Sequence, residues 1–180
     1  TKFAEYTRAA ARLGAERKKT ADRLGRTIEK EIALLGMTKA RFKVSLPETA
    51  PSLDEPATIR DQGAEDAEFL LSPNPGEELR PLRRIASGGE LSRMMLALKS
   101  AGQDKESFKT LIFDEIDSGI GGKTAEFIAR KLSQLAARHQ VICITHLPQI
   151  ASSAAHHFRI DKRVEKERTF TGANKLERED

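Results

Sequence analysis

Two carboxylates follow directly on an apolar run in the middle of the chain. The run from Thr110 to Phe113 leads into Asp114 and Glu115, which predicts a buried strand whose carboxyl end carries both acids. Adjacent strand residues point to opposite sides, so the two carboxylates suit different tasks. One suits a magnesium ion or its water, and the other suits a water poised to attack phosphorus, as phosphoryl transfer requires. On its own, Asp-Glu after a strand is more often a common acidic turn.

A histidine ends a second apolar run. Residues 141–145 are followed by His146 and then by Pro148, a proline near the start of a short helix. If the two strands are parallel neighbours, His146 lies at the same sheet edge as Asp114 and Glu115, where α/β folds place their ligands. An imidazole there can donate a hydrogen bond to a terminal phosphate. The alternative is an ordinary surface histidine at a strand end.

The segment Ser87-Gly88-Gly89-Glu90 predicts the start of a helix that also binds an anion. Ser87 and Glu90 have the spacing of a capping box, in which the hydroxyl and the carboxylate satisfy free amides at the helix N-terminus. Capping does not explain two glycines in the first turn, since each costs about 1 kcal/mol relative to alanine inside a helix. Close approach of a phosphate does explain them, because free amides and the helix dipole attract anions.

A glycine-rich acidic loop, Asp117-Ser118-Gly119, lies between the two predicted strands. Its simplest interpretation is a strand-to-helix turn. The triplet at 122–124 ends like a phosphate-binding P-loop, but only two residues separate it from Gly119, where a P-loop needs four. The chain therefore contains no P-loop, and we do not expect it to bind ATP tightly by itself.

Alternating helices and strands are predicted to position these groups. Helices at 88–101 and 122–138, strands at 109–114, 140–145, 156–162 and 167–171, and a short helix from Pro148 indicate a parallel sheet buried on both faces. The fold class is therefore α/β. Upstream, alternating segments at 42–46 and 67–71 predict a β-hairpin with a long acidic connection and a turn at 73–76. Residues 174–180 are typical of a helix that is cut off.

Residues 1–36 predict one long helix with a narrow apolar stripe. The stripe steps by three and four from Phe3 to Leu35 and is interrupted by Arg17 and Thr20. Such a helix suits a coiled coil whose partner strand lies outside this chain, and the alternative is an amphipathic helix packed on its own domain. This segment holds nine basic and five acidic residues, which accounts for the formal net charge of +4. The charge permits a contact with nucleic acid without establishing one.

Length and composition bound the remaining possibilities. A chain of 180 residues allows one domain with an appendage. No stretch has the apolar length of a membrane span. The single cysteine, Cys143, excludes an internal disulfide, and its apolar surroundings in the sequence are typical of a small buried side chain in a reducing compartment.

Three motifs, in this order along the chain, resemble the C-terminal half of an ABC-type ATPase head. They are Ser-Gly-Gly-Glu, a strand that leads into Asp-Glu, and a strand that leads into His. The runs 82–93, 113–122 and 145–150 are similar to those of the RecN family, bacterial SMC-like proteins of DNA double-strand-break repair and recombination. The resemblance covers residues 1–172. It implies the C-terminal lobe of an ATPase head at 39–180 and the returning arm of an antiparallel coiled coil at 1–38.

The resemblance implies a catalytic role for three residues. Asp114 would be the Walker B carboxylate on the Mg²⁺ side, acting through water, and Glu115 would be the general base for ATP hydrolysis. His146 would be the switch histidine at the γ-phosphate.

It also implies two segments at the interface between paired heads. The signature motif would contact ATP held on the opposing head through Ser87, Gly88, Gly89 and Glu90. The D-loop at the dimer seam would comprise Asp117, Ser118 and Gly119.

The implied partners are the N-terminal P-loop half of the same head, a second head in a homodimer and double-stranded DNA, with no membrane. The implied location is the cytoplasm, at the bacterial nucleoid. The chain would be a piece of a longer or split protein, inactive as an ATPase alone. Two rivals remain open: the nucleotide-binding subunit of a membrane transporter, against which the long helix argues, and a non-catalytic coiled-coil scaffold or DNA clamp.

Overall fold

The computed structural model describes residues 1–102, 107–165 and 168–177, which form a mixed α/β fold with a long N-terminal helix. The helices are α1 (Lys2–Leu34), α2 (Gly88–Ala101), α3 (Lys123–Ala136) and α4 (Pro148–Ala151). The strands are β1 (Arg41–Ser45), β2 (Glu68–Ser72), β3 (Arg80–Pro81), β4 (Thr110–Phe113), β5 (Gln140–Cys143), β6 (His157–Glu165) and β7 (Arg168–Leu176). The α/β class is confirmed. None of the described helices is both long and apolar enough to cross a bilayer.

The C-terminal half of α1 is part of the main hydrophobic core. Ile28 and Ile32 on its apolar stripe are fully buried, in one cluster with Phe42 of β1, Leu71 of β2 and Met94 of α2. Apolar residues that recur every three or four positions form one face of a helix, and that face is removed from water by packing. The helix therefore anchors the β1–β2–β3 sheet to α2.

The N-terminal half of α1 contacts the long connection between β1 and β2. The Tyr6 hydroxyl donates to the Arg60 carbonyl and accepts from the Arg60 amide, both at 3.0 Å. Arg17, which interrupts the apolar stripe, forms a 3.0 Å ion pair with Glu65. These contacts favour the interpretation of α1 as an amphipathic helix packed on its own chain. The coiled-coil assignment of residues 1–38 remains a prediction.

The first sheet confirms the predicted hairpin. Strands β1 and β2 are antiparallel, with Phe42 opposite Leu71 and Val44 opposite Phe69. The rings of Phe42 and Phe69 lie 5.6 Å apart between centroids. Strand β3, which was not predicted, adds to the other edge of β2.

The second sheet consists of β4 and β5 in parallel, with Phe113 opposite Cys143. Its inner face lies on the main core, where Phe113 is buried. Its outer face is open, since Ile112, Ile142 and Ile144 are 66%, 45% and 56% exposed. The prediction of a sheet buried on both faces is therefore wrong for the described chain, because its helices pack on one face only.

The last two strands form a separate antiparallel hairpin. Strand β6 pairs with β7 from His157 opposite Leu176 to Glu165 opposite Arg168. The predicted helix at 174–180 is wrong for 174–176, which continue β7; residues 178–180 lie outside the described part of the chain. Pairing with β6 satisfies the backbone of this segment, whereas a helix of so few residues is marginal without packing.

Candidate functional site

Both predicted acids and the predicted histidine lie at the carboxyl ends of neighbouring strands. Asp114 and Glu115 follow β4, and His146 lies shortly beyond β5. The ladder continues past the strands, because the Ile144 amide donates to the Phe113 carbonyl at 2.9 Å. The expectation that the two strands are parallel neighbours is confirmed.

Asp117 joins the two strand ends. Its Oδ2 accepts hydrogen bonds from the Thr145 hydroxyl and from the His146 amide, the latter at 2.8 Å. The same oxygen lies 3.0 Å from His146 Nδ1, on an imidazole that is 75% exposed. Thr145 Oγ1 in turn accepts the Leu147 amide at 3.1 Å. One buried carboxylate therefore fixes the turn after β5 and the position of the exposed imidazole.

The electrostatics of Asp117 fit this positioning role. Burial by itself raises the pKa of the carboxyl group, but the hydrogen bonds from Thr145 and the His146 amide favour the charged form. The net result is a pKa below the ordinary value. Asp117 is thus a fixed negative charge beneath His146, whereas the neighbouring Ser118 and Gly119 are exposed. The D-loop assignment of these three residues remains a prediction.

Glu115 adopts a left-handed backbone conformation, with φ 55°, the only non-glycine residue with positive φ in the described chain. Its amide donates to Asp114 Oδ1 at 2.9 Å, and its carbonyl accepts the Ser118 amide at 3.0 Å. Such a conformation costs about 1–3 kcal/mol and is concentrated at functional sites. This strain favours a functional role for Glu115 over an ordinary acidic turn.

The N-terminus of α2 packs directly on the Glu115 turn. A side chain at Gly88 would collide with the Glu115 carboxylate, and a Cβ at Gly89 would lie 2.9 Å from the Glu115 carbonyl oxygen. The two glycines therefore permit close packing inside the chain, a reason that was not predicted from the sequence. Phosphate contact at this helix start remains a prediction, and Ser87 and Gly88 are exposed for it.

The structure shows one of the two hydrogen bonds of the predicted capping box. The Ser87 hydroxyl accepts the Glu90 amide at 3.3 Å. This bond satisfies one of the free amides at the helix start. The other free amides are consistent with the predicted anion site.

Two side chains of α2 that had no assigned role hold the loop between β4 and α3. The Arg93 guanidinium is buried and donates to the carbonyls of Ile116 at 3.3 Å and Ser118 at 3.0 Å. The Ser92 hydroxyl donates to the Asp114 carbonyl. Burial lowers the pKa of Arg93. These bonds tie the helix start to the backbone that carries both acids.

A signal for Arg93 was present in the sequence. It lies four residues after Gly89 and four before Ala97, on the stripe of α2 that is buried. A charge on such a stripe has to be paired with polar groups. Thr145 offered no comparable signal, because its partner Asp117 is 28 positions away in sequence.

The acids fit a magnesium ion that takes most of its ligands from elsewhere. Asp114 is exposed, and one of its oxygens accepts the Glu115 amide. No cluster of three or more His, Cys, Asp or Glu side chains in the described residues is arranged to hold a metal. Mg²⁺ is commonly held by one or two carboxylates together with phosphate oxygens and water. The donor set therefore suits a Mg²⁺–nucleotide complex and not an all-protein metal centre.

Cys143 at the end of β5 is a half-buried thiol. Burial, followed by the charges of Asp117 and Asp114, raises its pKa to about 11. It therefore stays protonated at neutral pH and is poorly suited to act as a nucleophile. Its position agrees with the interpretation as a small packed side chain.

The chain is 40% identical over 164 residues to the DNA repair protein RecN of Halalkalibacterium halodurans, an alignment that covers 91% of this chain. It is 40% identical over 179 residues to RecN of Bacillus subtilis and 41% identical over 175 residues to RecN of Haemophilus influenzae, covering 95% and 97% of this chain. The chain belongs to the RecN family. It spans 28%, 31% and 29% of the length of these curated relatives. No family model matches the chain.

The fold of this RecN-family chain is that of part of an SMC head. A crystal structure of the Smc head domain with a coiled coil and joint, derived from Pyrococcus yayanosii, aligns with a TM-score of 0.54 and 19% identity. The alignment covers 91% of this chain and 28% of that one. At this identity the likeness concerns the fold alone, and the RecN assignment rests on the sequence matches.

Proposed function

We propose that this chain is the C-terminal lobe of the ATPase head of a RecN-type DNA repair protein that acts on double-strand breaks. In this proposal the lobe hydrolyses ATP with Mg²⁺ only when it is completed by the P-loop half of the same head and by a second head. The observation that carries the proposal is the meeting of Asp114, Glu115 and His146 at two parallel strand ends.

Each acid has a separate task in this proposal. Asp114 would hold Mg²⁺ through water, and the ion would offset charge on the phosphates. Glu115 accepts a proton from the attacking water, for which an exposed carboxylate on a rigid turn is suited. The Glu115 carboxylate lies against Gly88 at the start of α2, whereas one oxygen of Asp114 accepts the Glu115 amide.

His146 is proposed to contact the terminal phosphate. Its imidazole is exposed, while its backbone is held by Asp117. Asp117 Oδ2 lies 3.0 Å from Nδ1 and so orients the ring, whose N–H can donate to an anion. Asp117 is therefore a positioning residue, and His146 is the group that reaches the nucleotide.

The signature motif is proposed to act on the nucleotide of the opposing head. The P-loop half of each head would hold the nucleotide of that head, and the amides at Ser87 to Glu90 would contact the nucleotide held by the other head. Free amides and the helix dipole at the start of α2 favour that anion. Two heads related by a twofold axis would then form two equivalent composite sites.

The open face of the β4–β5 sheet is proposed to receive the P-loop half of the same head. Three exposed isoleucines cover this face: Ile112, Ile142 and Ile144. Parallel sheets are normally covered on both faces. The relatives are more than three times as long as this chain, since it spans 28% of the first of them, which leaves ample sequence for the missing layer.

A substitution of the proposed base tests this function. In the full-length protein, Glu115→Gln is expected to retain ATP binding and ATP-dependent head pairing while turnover falls by about 10²–10⁴-fold. Glu126→Gln is a matched control, because Glu126 is an exposed acid in the first turn of α3. Steady-state phosphate release, with and without linear duplex DNA, measures turnover. Turnover within twofold of wild type in Glu115→Gln would remove Glu115 from its role.

A further inference from the structure

The face of α1 that points away from the head carries a row of cations. At about 100° per residue, six basic side chains fall within a sector of about 60°. All six are exposed, and together they form the α1 basic stripe: Arg8, Arg12, Lys19, Arg23, Arg26 and Lys30. The buried residues of the helix lie on the opposite side: Ala10, Ala21, Gly25, Ile28 and Ile32. The stripe therefore stays exposed while the helix is packed on the head.

Few groups of this chain neutralise the stripe. Lys19 pairs with Glu16 at 2.7 Å, with both side chains largely exposed, and Arg8 donates to the Ala4 carbonyl at 3.2 Å. The other four cations form no ion pair with any carboxylate of the described residues: Arg12, Arg23, Arg26 and Lys30. Exposed pairs such as Lys19 with Glu16 contribute little and are easily exchanged.

The dimensions of the stripe match a polyanion that is long and straight. It extends from Arg8 to Lys30 along an uninterrupted helix, which at 1.5 Å per residue is about 33 Å, close to one turn of B-DNA. Double-stranded DNA carries about one charge per 1.7 Å of its axis. Successive stripe cations follow at intervals of three, four or seven residues, so several can contact phosphates at once.

We propose that the α1 basic stripe binds the phosphate backbone of double-stranded DNA without reading its sequence. This inference rests on the proposed function, in which DNA is a partner of the complete protein. The stripe has no aromatic side chain on which unpaired bases could stack, which favours duplex over single strands. The apolar face of α1 is packed on the head, which disfavours an interfacial membrane helix.

The salt dependence of DNA binding tests the proposal in the full-length protein. The variant removes four stripe charges: Arg12→Gln, Arg23→Gln, Arg26→Gln and Lys30→Gln. Glutamine is a good helix former, so α1 is kept. Affinity for a fluorescent linear duplex, measured between about 50 and 200 mM salt, is expected to fall at least tenfold at the lower salt. The slope of log K against log salt is expected to decrease by about 0.9 for each lost phosphate contact.

A matched control removes the same charge from outside the sector: Lys2→Gln, Lys18→Gln, Lys39→Gln and Lys43→Gln. These four lysines are exposed, and two of them lie on α1 itself. The control is expected to bind DNA with nearly the wild-type slope. A third variant replaces Arg12, Arg23 and Arg26 by lysine and is expected to retain the slope, because non-specific phosphate contacts require charge and not guanidinium geometry.

Two results would overturn the proposal. One is a stripe variant whose slope equals that of wild type, and the other is a control that loses as much as the stripe variant. ATP turnover without DNA separates this inference from the proposed function. The stripe variant is expected to keep basal turnover. A wild-type protein without turnover would contradict the proposed function, but its DNA affinity would still test the stripe.

Discussion

At the scale of single residues, Asp117 links the two strand ends into one site. It is buried, it accepts the Thr145 hydroxyl and the His146 amide, and it lies under the His146 ring. An acid in this position was predicted as part of an interface loop, while its contacts inside the chain were not. The carboxylate therefore contributes to the fold as well as to the placement of His146.

The substitution Asp117→Asn should change how stability depends on pH. The folded pKa of Asp117 lies below its ordinary value of 3.8, so the charged group stabilises the folded state above that pH. This stabilisation is lost as the pH falls through the lower, folded pKa. We expect Asp117→Asn to be less stable than wild type at neutral pH and to lose less stability on acidification below about pH 4.

Urea unfolding of the full-length protein at a series of acidic pH values measures this difference. Asp54→Asn is the control, because Asp54 is exposed in the connection between β1 and β2. Identical pH dependence in wild type and Asp117→Asn would mean that the buried carboxylate does not stabilise the fold.

At the scale of elements, the start of α2 depends on two glycines for different reasons. A Cβ at Gly89 would lie 2.9 Å from the Glu115 carbonyl and 2.9 Å from Ser118 Cβ, atoms of a turn that is fixed by Arg93. A side chain at Gly88 would meet only the movable end of Glu115. Gly89 therefore permits close packing of α2 on the turn, whereas Gly88 leaves room for the carboxylate of the proposed base.

Alanine at each position should separate these effects. Gly89→Ala is expected to destabilise the protein by about 1–3 kcal/mol, the usual cost of overpacking. Gly88→Ala is expected to keep stability within about 1 kcal/mol but to reduce ATP turnover by displacing the Glu115 carboxylate. Urea unfolding and phosphate release measure the two quantities. Equal stability of Gly89→Ala and wild type would contradict the close packing of α2 on the turn.

The elements around the site were largely predictable because their signals are local. The cap at Ser87 predicts the start of α2, and the apolar runs predict β4 and β5. The contact between Asp117 and Thr145 was not predictable, because these residues are 28 positions apart and their approach depends on the register of two strands. The open face at Ile112 was not predicted for another reason. An apolar strand has the same sequence pattern whether the layer that covers it comes from the same segment or from another. Cross-strand pairing also extends β7 to Leu176, beyond where the pattern suggested a strand.

At the scale of the whole molecule, the open β4–β5 face is the proposed contact surface for the P-loop half of the head. Burial of a complete isoleucine side chain stabilises by about 1.5–3 kcal/mol. Ile112 and Ile144 are both more than half exposed, so together they can contribute about 2–4 kcal/mol to such a contact. These residues lie on the side of the sheet opposite the main core.

Replacing both residues, Ile112→Ser and Ile144→Ser, is expected to weaken association of this chain with the P-loop half at least tenfold, which is about 1.4 kcal/mol. The two pieces can be mixed and their affinity measured by titration calorimetry. Leu53→Ser is the control, since Leu53 is 65% exposed in a loop away from the sheet. Association that is unchanged by the double substitution would place the P-loop half on another surface.

In the proposed dimer, two heads share their sites, and each site uses Glu115 of one chain and the signature motif of the other. Full-length Glu115→Gln and Ser87→Arg proteins are each expected to be inactive, because each disables both sites of its own homodimer. Mixed dimers should contain one site with an intact Glu115 and an intact Ser87. Phosphate release from an equal mixture of the two variants tests this most directly. Random pairing in twofold dimers predicts recovery of about a quarter of wild-type turnover, whereas a mixture as inactive as its components would show that the signature motif does not act across the dimer.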